Sequence, residues 1–198
     1  MPEAGGRQRF EVLAVCTGNI CRSPVIERLL EARFAEVGVI AQVRSAGTAA
    51  MLGAGMPDEA FDLLERYDGS TRDHSPRQLT AADLRRADLV LTATRSHRAA
   101  VAALAPERAY RAFVLAEFAR LAETALDDDR FVGAVADPTA LAEVIATYRD
   151  AEPELPPAVE DLPDPFHRAQ GVWDDVGRRI DGATRRLAEA LAELAPVR

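Results

Sequence analysis

At 198 residues, with 48% hydrophobic and 28% charged side chains, the chain has the size and composition of one globular domain with a real core. A net charge of −8 argues against nucleic acid as a partner, so any affinity for an anion has to be local. Two cysteines do not make a disulfide framework, the polar Met1–Arg9 stretch is not a signal peptide, and no apolar run is long enough for a membrane span. These features point to a cytoplasmic protein with reduced thiols and no membrane partner. Residues 1–8 read as a disordered tail and 9–198 as a single domain.

The elements follow in order. Phe10–Val15 has the β-branched bias of a buried strand. Beyond a tight loop, Ile26, Leu29, Leu30, Phe34 and Val37 keep helical spacing up to Gly38, with Ser23 read as the N-cap and Pro24 as the first helical residue. Val39–Arg44 reads as a second strand and Pro57–Tyr67 as a short helix. Thr80 to Asp83 opens a further helix with a capping-box pattern. Asp88–Thr92 and Tyr110–Leu115 read as two more strands, with a helix over Arg95–Ala105 between them, stopped by Pro106. Strand and helix thus alternate four times. This implies an α/β fold: one four-stranded parallel sheet with right-handed crossovers and helices on both faces.

Downstream, Ala116–Glu123 continues as helix, Asp127-Asp128-Asp129 reads as a solvated turn, and Pro138–Arg149 as another helix. Ala151–Pro165, with five prolines, is expected to be an extended loop. From Gln170 a long closing helix puts Trp173, Val176, Ile180, Leu187, Leu191 and Leu194 near one face, which makes Trp173 a core residue.

The chemistry concentrates in Cys16-Thr17-Gly18-Asn19-Ile20-Cys21-Arg22-Ser23-Pro24. A loop that curls into a helix N-terminus aims backbone N–H groups at one spot, and the helix dipole makes that spot favourable for an anion. Gly18 is read as the residue that lets the backbone turn where a Cβ would clash. Arg22 can add a planar two-toothed guanidinium, and the same groups favour the Cys16 thiolate. A thiolate facing a bound tetrahedral oxyanion is a nucleophile placed on phosphorus. Zinc is the competing reading of two cysteines, but neither a second cysteine pair nor a histidine pair at metal spacing exists. No metal or cofactor is expected.

This nine-residue stretch resembles the signature loop of the low-molecular-weight protein-tyrosine phosphatases, and the likeness extends over about 9–124 and 161–195. It implies the phosphotyrosine phosphatase I-like fold and a phosphomonoester hydrolase working through a cysteinyl-phosphate. In that reading Cys16 is the nucleophile, while Arg22 and the amides of residues 17 to 23 bind phosphate. Asp164, in Asp164-Pro165-Phe166, is the general acid, with Asp161 as fallback. The likeness also implies that Asn19 takes a left-handed backbone held by Ser45 and His74, that Ser23 donates to the nucleophile's sulfur, and that Cys21 traps oxidised Cys16. The substrate would be a phosphorylated protein or a small phosphoester.

Some residues depart from the resembled pattern. Residues from about 125 to 160 read as an insertion. Phe166-His167 stands where members carry two tyrosines, Thr92-Ala93-Thr94 replaces a Met-Asp step, and Met51-Leu52 falls where an aromatic often lines the substrate mouth. Two other functions compete: an arsenate reductase on the same fold using a low-molecular-weight thiol, since no cysteine follows Cys21, and a non-catalytic phospho-ligand module.

Overall fold

The computed structural model describes residues 9–128, 140–149 and 151–194. The tail read over 1–8, residues 129–139 of the insertion, Pro138 at the expected helix start, Asp129 and the Leu194 side chain lie outside the described residues. Strands β1 (Phe10–Cys16), β2 (Ala41–Gly47), β3 (Leu89–Thr92) and β4 (Ala112–Val114) form one parallel sheet in the order β2-β1-β3-β4. Helices α1 (Arg22–Glu36), α2 (Asp58–Arg66), α3 (Ala81–Arg86), α4 (Arg95–Leu104), α5 (Leu115–Leu126), α6 (Leu141–Arg149), α7 (Pro157–Glu160) and α8 (Gln170–Leu194) surround it. Among the described residues no helix is long and apolar enough to cross a membrane.

Alternation along the strands builds two cores. Phe10, Val12, Ala14 and Cys16 of β1 join Leu89, Leu91 and Phe113 against α1, α2, α5, α6 and α8. Leu13, Val15, Val90 and Ala112 face the other way, with Leu84 of α3 and Val101 of α4. Because β1 is paired on both sides, Cys16 leaves the sheet at its centre, at the carboxyl ends where open parallel sheets bind ligands.

Several boundaries differ from the sequence reading. β2 begins two residues later and runs on through Gly47, because its pairing to β1 continues to Cys16↔Gly47. The fourth strand is only Ala112–Val114; Pro106–Arg111 coils as a 3₁₀ segment first. Ser23 is not an N-cap: α1 starts at Arg22, and Cys21 occupies the cap with no side-chain bond to the helix. The Thr80–Asp83 capping box forms as read, with both reciprocal bonds present. The expected extended stretch before Pro165 contains a turn of helix, α7, and the described part of the insertion is not a surface appendage. Leu141, Ala142 and Ile145 of α6 are buried in the main core. Tyr148 donates to Asp128, so that residue is partnered rather than a free solvated turn. Trp173 is buried, its indole N–H without a partner among the described residues.

Candidate active site

The loop from Cys16 to Ser23 wraps the start of α1, and its geometry hangs on Asn19. Asn19 has φ of 55°, the left-handed region in which asparagine is among the few tolerated non-glycine residues. Its side chain is fully buried and fully used. Nδ2 donates to Ser23 Oγ and Ser45 Oγ, both at 2.9 Å, and Oδ1 accepts the Arg77 amide at 2.8 Å. Its carbonyl accepts from His74 Nε2 at 2.7 Å, which fixes that nitrogen as protonated. Ser45 in turn donates to the buried carboxylate of Glu27 on α1. Asn19 therefore joins the ends of β1 and β2, the first turns of α1 and the 74–77 loop at one point.

The segment after β2 lines up along the signature loop: Thr48, Ala49 and Met51 donate their amides to the carbonyls of Cys16, Thr17 and Gly18 at 2.9–3.0 Å. Gly18 does not play the part the sequence suggested. The left-handed turn is taken by Asn19, and a Cβ on Gly18 would crowd side-chain atoms rather than backbone: Met51 Cγ and Sδ at 3.3 Å and Ile20 Cγ1 at 3.5 Å. The Cβ that cannot be accommodated belongs to Gly47, where it would lie 2.3 Å from the Thr17 carbonyl oxygen.

Cys16 is buried at the end of β1, with Ser23 Oγ 3.0 Å from its sulfur. This use of the hydroxyl explains why Ser23 does not cap the helix. Cys21 is buried too, and its thiol is pushed up to about 12, first by burial and then by the charge of Cys16 and Asp164. Arg22 lies over the loop. Its Nη2 is 3.1 Å from Asp164 Oδ2 and its Nη1 donates to the Leu162 carbonyl at 3.2 Å. The Asp164 side chain is 59% exposed, so it faces the mouth rather than the core. Asp161 is committed elsewhere: its Oδ1 accepts the Arg95 amide at the start of α4, a favourable place for a carboxylate. Exposed Met51 and Leu52 follow β2 beside the signature loop, where Met51 donates its amide to the Gly18 carbonyl, and just past Asp164 the Phe166 and His167 rings lie with centroids 3.8 Å apart.

One site residue escaped the sequence reading. His97, buried in the first turn of α4, places Nε2 2.8 Å from Thr17 Oγ1 and Nδ1 2.7 Å from Thr94 Oγ1. Burial, and then the nearby Arg22 charge, lower its pKa to about 4, so it is a neutral ring at physiological pH. The available signal was the Thr94-x-x-His97 spacing, in which an N-cap threonine faces a histidine one turn on.

The sequence matches the family model for low molecular weight phosphotyrosine protein phosphatases over residues 11–148. The chain belongs to this family. Among curated relatives, the low molecular weight protein-tyrosine-phosphatase Wzb of Salmonella typhi is 28% identical over 181 residues, 91% of this chain and 93% of that one. Etp of Escherichia coli is 42% identical over a shorter stretch of 96 residues, 48% of this chain and 62% of that one. Among solved structures, the low molecular weight protein tyrosine phosphatase from T. tengcongensis superposes with a TM-score of 0.67 at 27% identity, covering 90% of this chain and 97% of that one. The YwlE arginine phosphatase shares the fold, with a TM-score of 0.67 at 23% identity over 91% of this chain and 95% of that one.

Proposed function

We propose that the protein hydrolyses phosphotyrosine in phosphorylated proteins through a cysteinyl-phosphate on Cys16. What supports this is one juxtaposition: Arg22 lies between the Cys16 loop and the Asp164 carboxylate. In this reading nucleophile, cationic anchor and proton donor act on one phosphate at the start of α1.

In the first step the phosphate's non-bridging oxygens take the loop amides and the Arg22 guanidinium. The Cys16 thiolate attacks phosphorus in line with the ester oxygen. The S–P bond forms as the P–O bond breaks, and protonated Asp164 gives its proton to the departing phenolate oxygen. Ser23 donates to the sulfur, stabilising the thiolate before attack and after release. In the second step the Asp164 carboxylate takes a proton from water as that oxygen attacks phosphorus; the S–P bond breaks and inorganic phosphate and the thiolate return. Asn19, with Ser45 and His74, holds the amides in place throughout, so little reorganisation accompanies the charge shift. Cys21, a thiol at neutral pH, takes no part in turnover. The two free cysteines suit a reducing compartment, and we assign the activity to the cytoplasm.

The test is hydrolysis of 4-nitrophenyl phosphate and of phosphotyrosine and phosphoarginine peptides in EDTA, by wild type, Cys16→Ser and Asp164→Asn. The expected result is wild-type turnover of phosphotyrosine, none with Cys16→Ser, and a fall of roughly 10²-fold or more with Asp164→Asn. Preference for phosphoarginine would overturn the substrate, and thiol-dependent arsenate reduction without phosphatase turnover would overturn the reaction. Tight phosphopeptide binding without turnover would leave a recognition module.

A further inference from the structure

Glu160 has no part in the proposed reaction, yet it is only 3% exposed. Its two oxygens are divided between two helices. Oε2 accepts from Arg95 Nη2 of α4 at 2.9 Å, and Oε1 accepts from Arg120 of α5, at 3.0 Å from Nη2 and 3.3 Å from Nε. Arg95 also donates to the Leu155 carbonyl, and its backbone amide donates to Asp161 Oδ1. The next residue, Leu162, donates its amide to the Ala93 carbonyl at 2.8 Å and gives its own carbonyl to Arg22. Two positions further on comes Asp164. The acid therefore hangs from a short segment pinned at three consecutive residues, and the first pin is a buried carboxylate between two guanidiniums.

A buried ion pair is a poor way to gain stability, because desolvation offsets most of the attraction and an apolar residue of similar volume does as well. It is a good way to fix direction. Two guanidiniums from separate helices, each donating to one carboxylate oxygen, hold that carboxylate in one orientation, whereas a leucine could settle in several.

We infer that Glu160 is a positioning residue: its clamp between Arg95 and Arg120 sets the height and angle at which Asp164 approaches the leaving-group oxygen over Arg22. This rests on the reading of Asp164 as the general acid. A misplaced acid costs most where the leaving group most needs a proton. Glu160→Gln therefore affects poor leaving groups selectively and leaves the anion site intact.

The experiment measures kcat/KM for phenyl phosphate and for 4-nitrophenyl phosphate, the inhibition constant of inorganic phosphate, and Tm. It compares wild type, Glu160→Gln, Asp164→Asn and the double variant. The expected result for Glu160→Gln is a loss of about tenfold or more on phenyl phosphate and under about threefold on 4-nitrophenyl phosphate, with phosphate inhibition unchanged within about twofold. In the double variant Glu160→Gln adds no loss to that of Asp164→Asn, because there is no longer an acid to position. Equal loss on both substrates, weakened phosphate inhibition, or full additivity would overturn the assignment. Should Glu160→Gln fail to fold, Glu160→Asp keeps the charge but shortens the clamp, and the same selectivity is expected in smaller degree. If Asp164→Asn itself spares phenyl phosphate, it is the general-acid reading that fails. If Asp164→Asn is selective and Glu160→Gln is not, only the positioning role fails.

Discussion

Two loops meet over Arg22, and they are held by different physics. The signature loop is braced mostly by dipoles: Asn19 amide to Ser23 and Ser45 hydroxyls, a His74 ring N–H to a carbonyl, the Arg77 amide to Asn19. The acid loop is braced by charge: Glu160 between Arg95 and Arg120, and Asp164 on Arg22. A cradle for a phosphate dianion gains from dipole bracing, since added carboxylates would repel the ligand and added cations would trap the product. A loop that must present one carboxylate has no such constraint and is placed by strong, directional guanidinium pairs.

Asn19→Ala is expected to break the cradle, with the largest effect. The Arg77 amide loses its acceptor and an alanine must hold a left-handed backbone, together about 2–4 kcal/mol of stability. The fall in kcat/KM should be on the order of 10²-fold, as the amides lose alignment; urea unfolding and steady-state kinetics read both. Arg95→Ala strikes the other loop, leaving Glu160 with one guanidinium. A stability loss of about 2–3 kcal/mol is expected, with weaker phenyl phosphate turnover but unchanged phosphate inhibition. His97→Gln tests the neutrality of the cradle. The folded value of His97, about 4, lies below the 6.5 of a free histidine, so the unfolded chain binds the proton first. Its contribution to stability is whole above pH 6.5 and is lost as pH falls toward 4. The glutamine variant should show a flatter dependence of the urea midpoint across that window. The smallest effect belongs to Thr80→Ala, whose hydroxyl bonds to Asp83 at the start of α3: about 1 kcal/mol in urea, from the lost capping box, and no change in kcat/KM.

The same contrast divides what could be read from the sequence. Strand–loop–helix order, the parallel sheet and the Thr80–Asp83 capping box are local patterns, and local patterns are legible. The Asn19, Ser45 and His74 meeting was named only through resemblance, because those residues lie 26 and 55 positions apart. Ser23 was misread because a serine before a proline is a common helix start; nothing local says its hydroxyl is already taken by Cys16 and Asn19. Glu160 was hidden for a related reason. Its partners lie 65 and 40 residues away, in a stretch whose prolines suggested an open loop. His97 was missed because one histidine in a helix carries little information until the opposite hydroxyl is known.

The close approach at Gly47 has a consequence for how this protein can change. The carbon a side chain would add there falls inside the Thr17 carbonyl, on the wall shared by the two loops that follow β1 and β2. In a library covering every substitution and selected for turnover, position 47 should be as monochrome as position 16, although it touches no substrate. A lineage could trade the exposed side chains at Met51 and Leu52 for new specificities, but it could not enlarge this one hydrogen atom without rebuilding the floor beneath them.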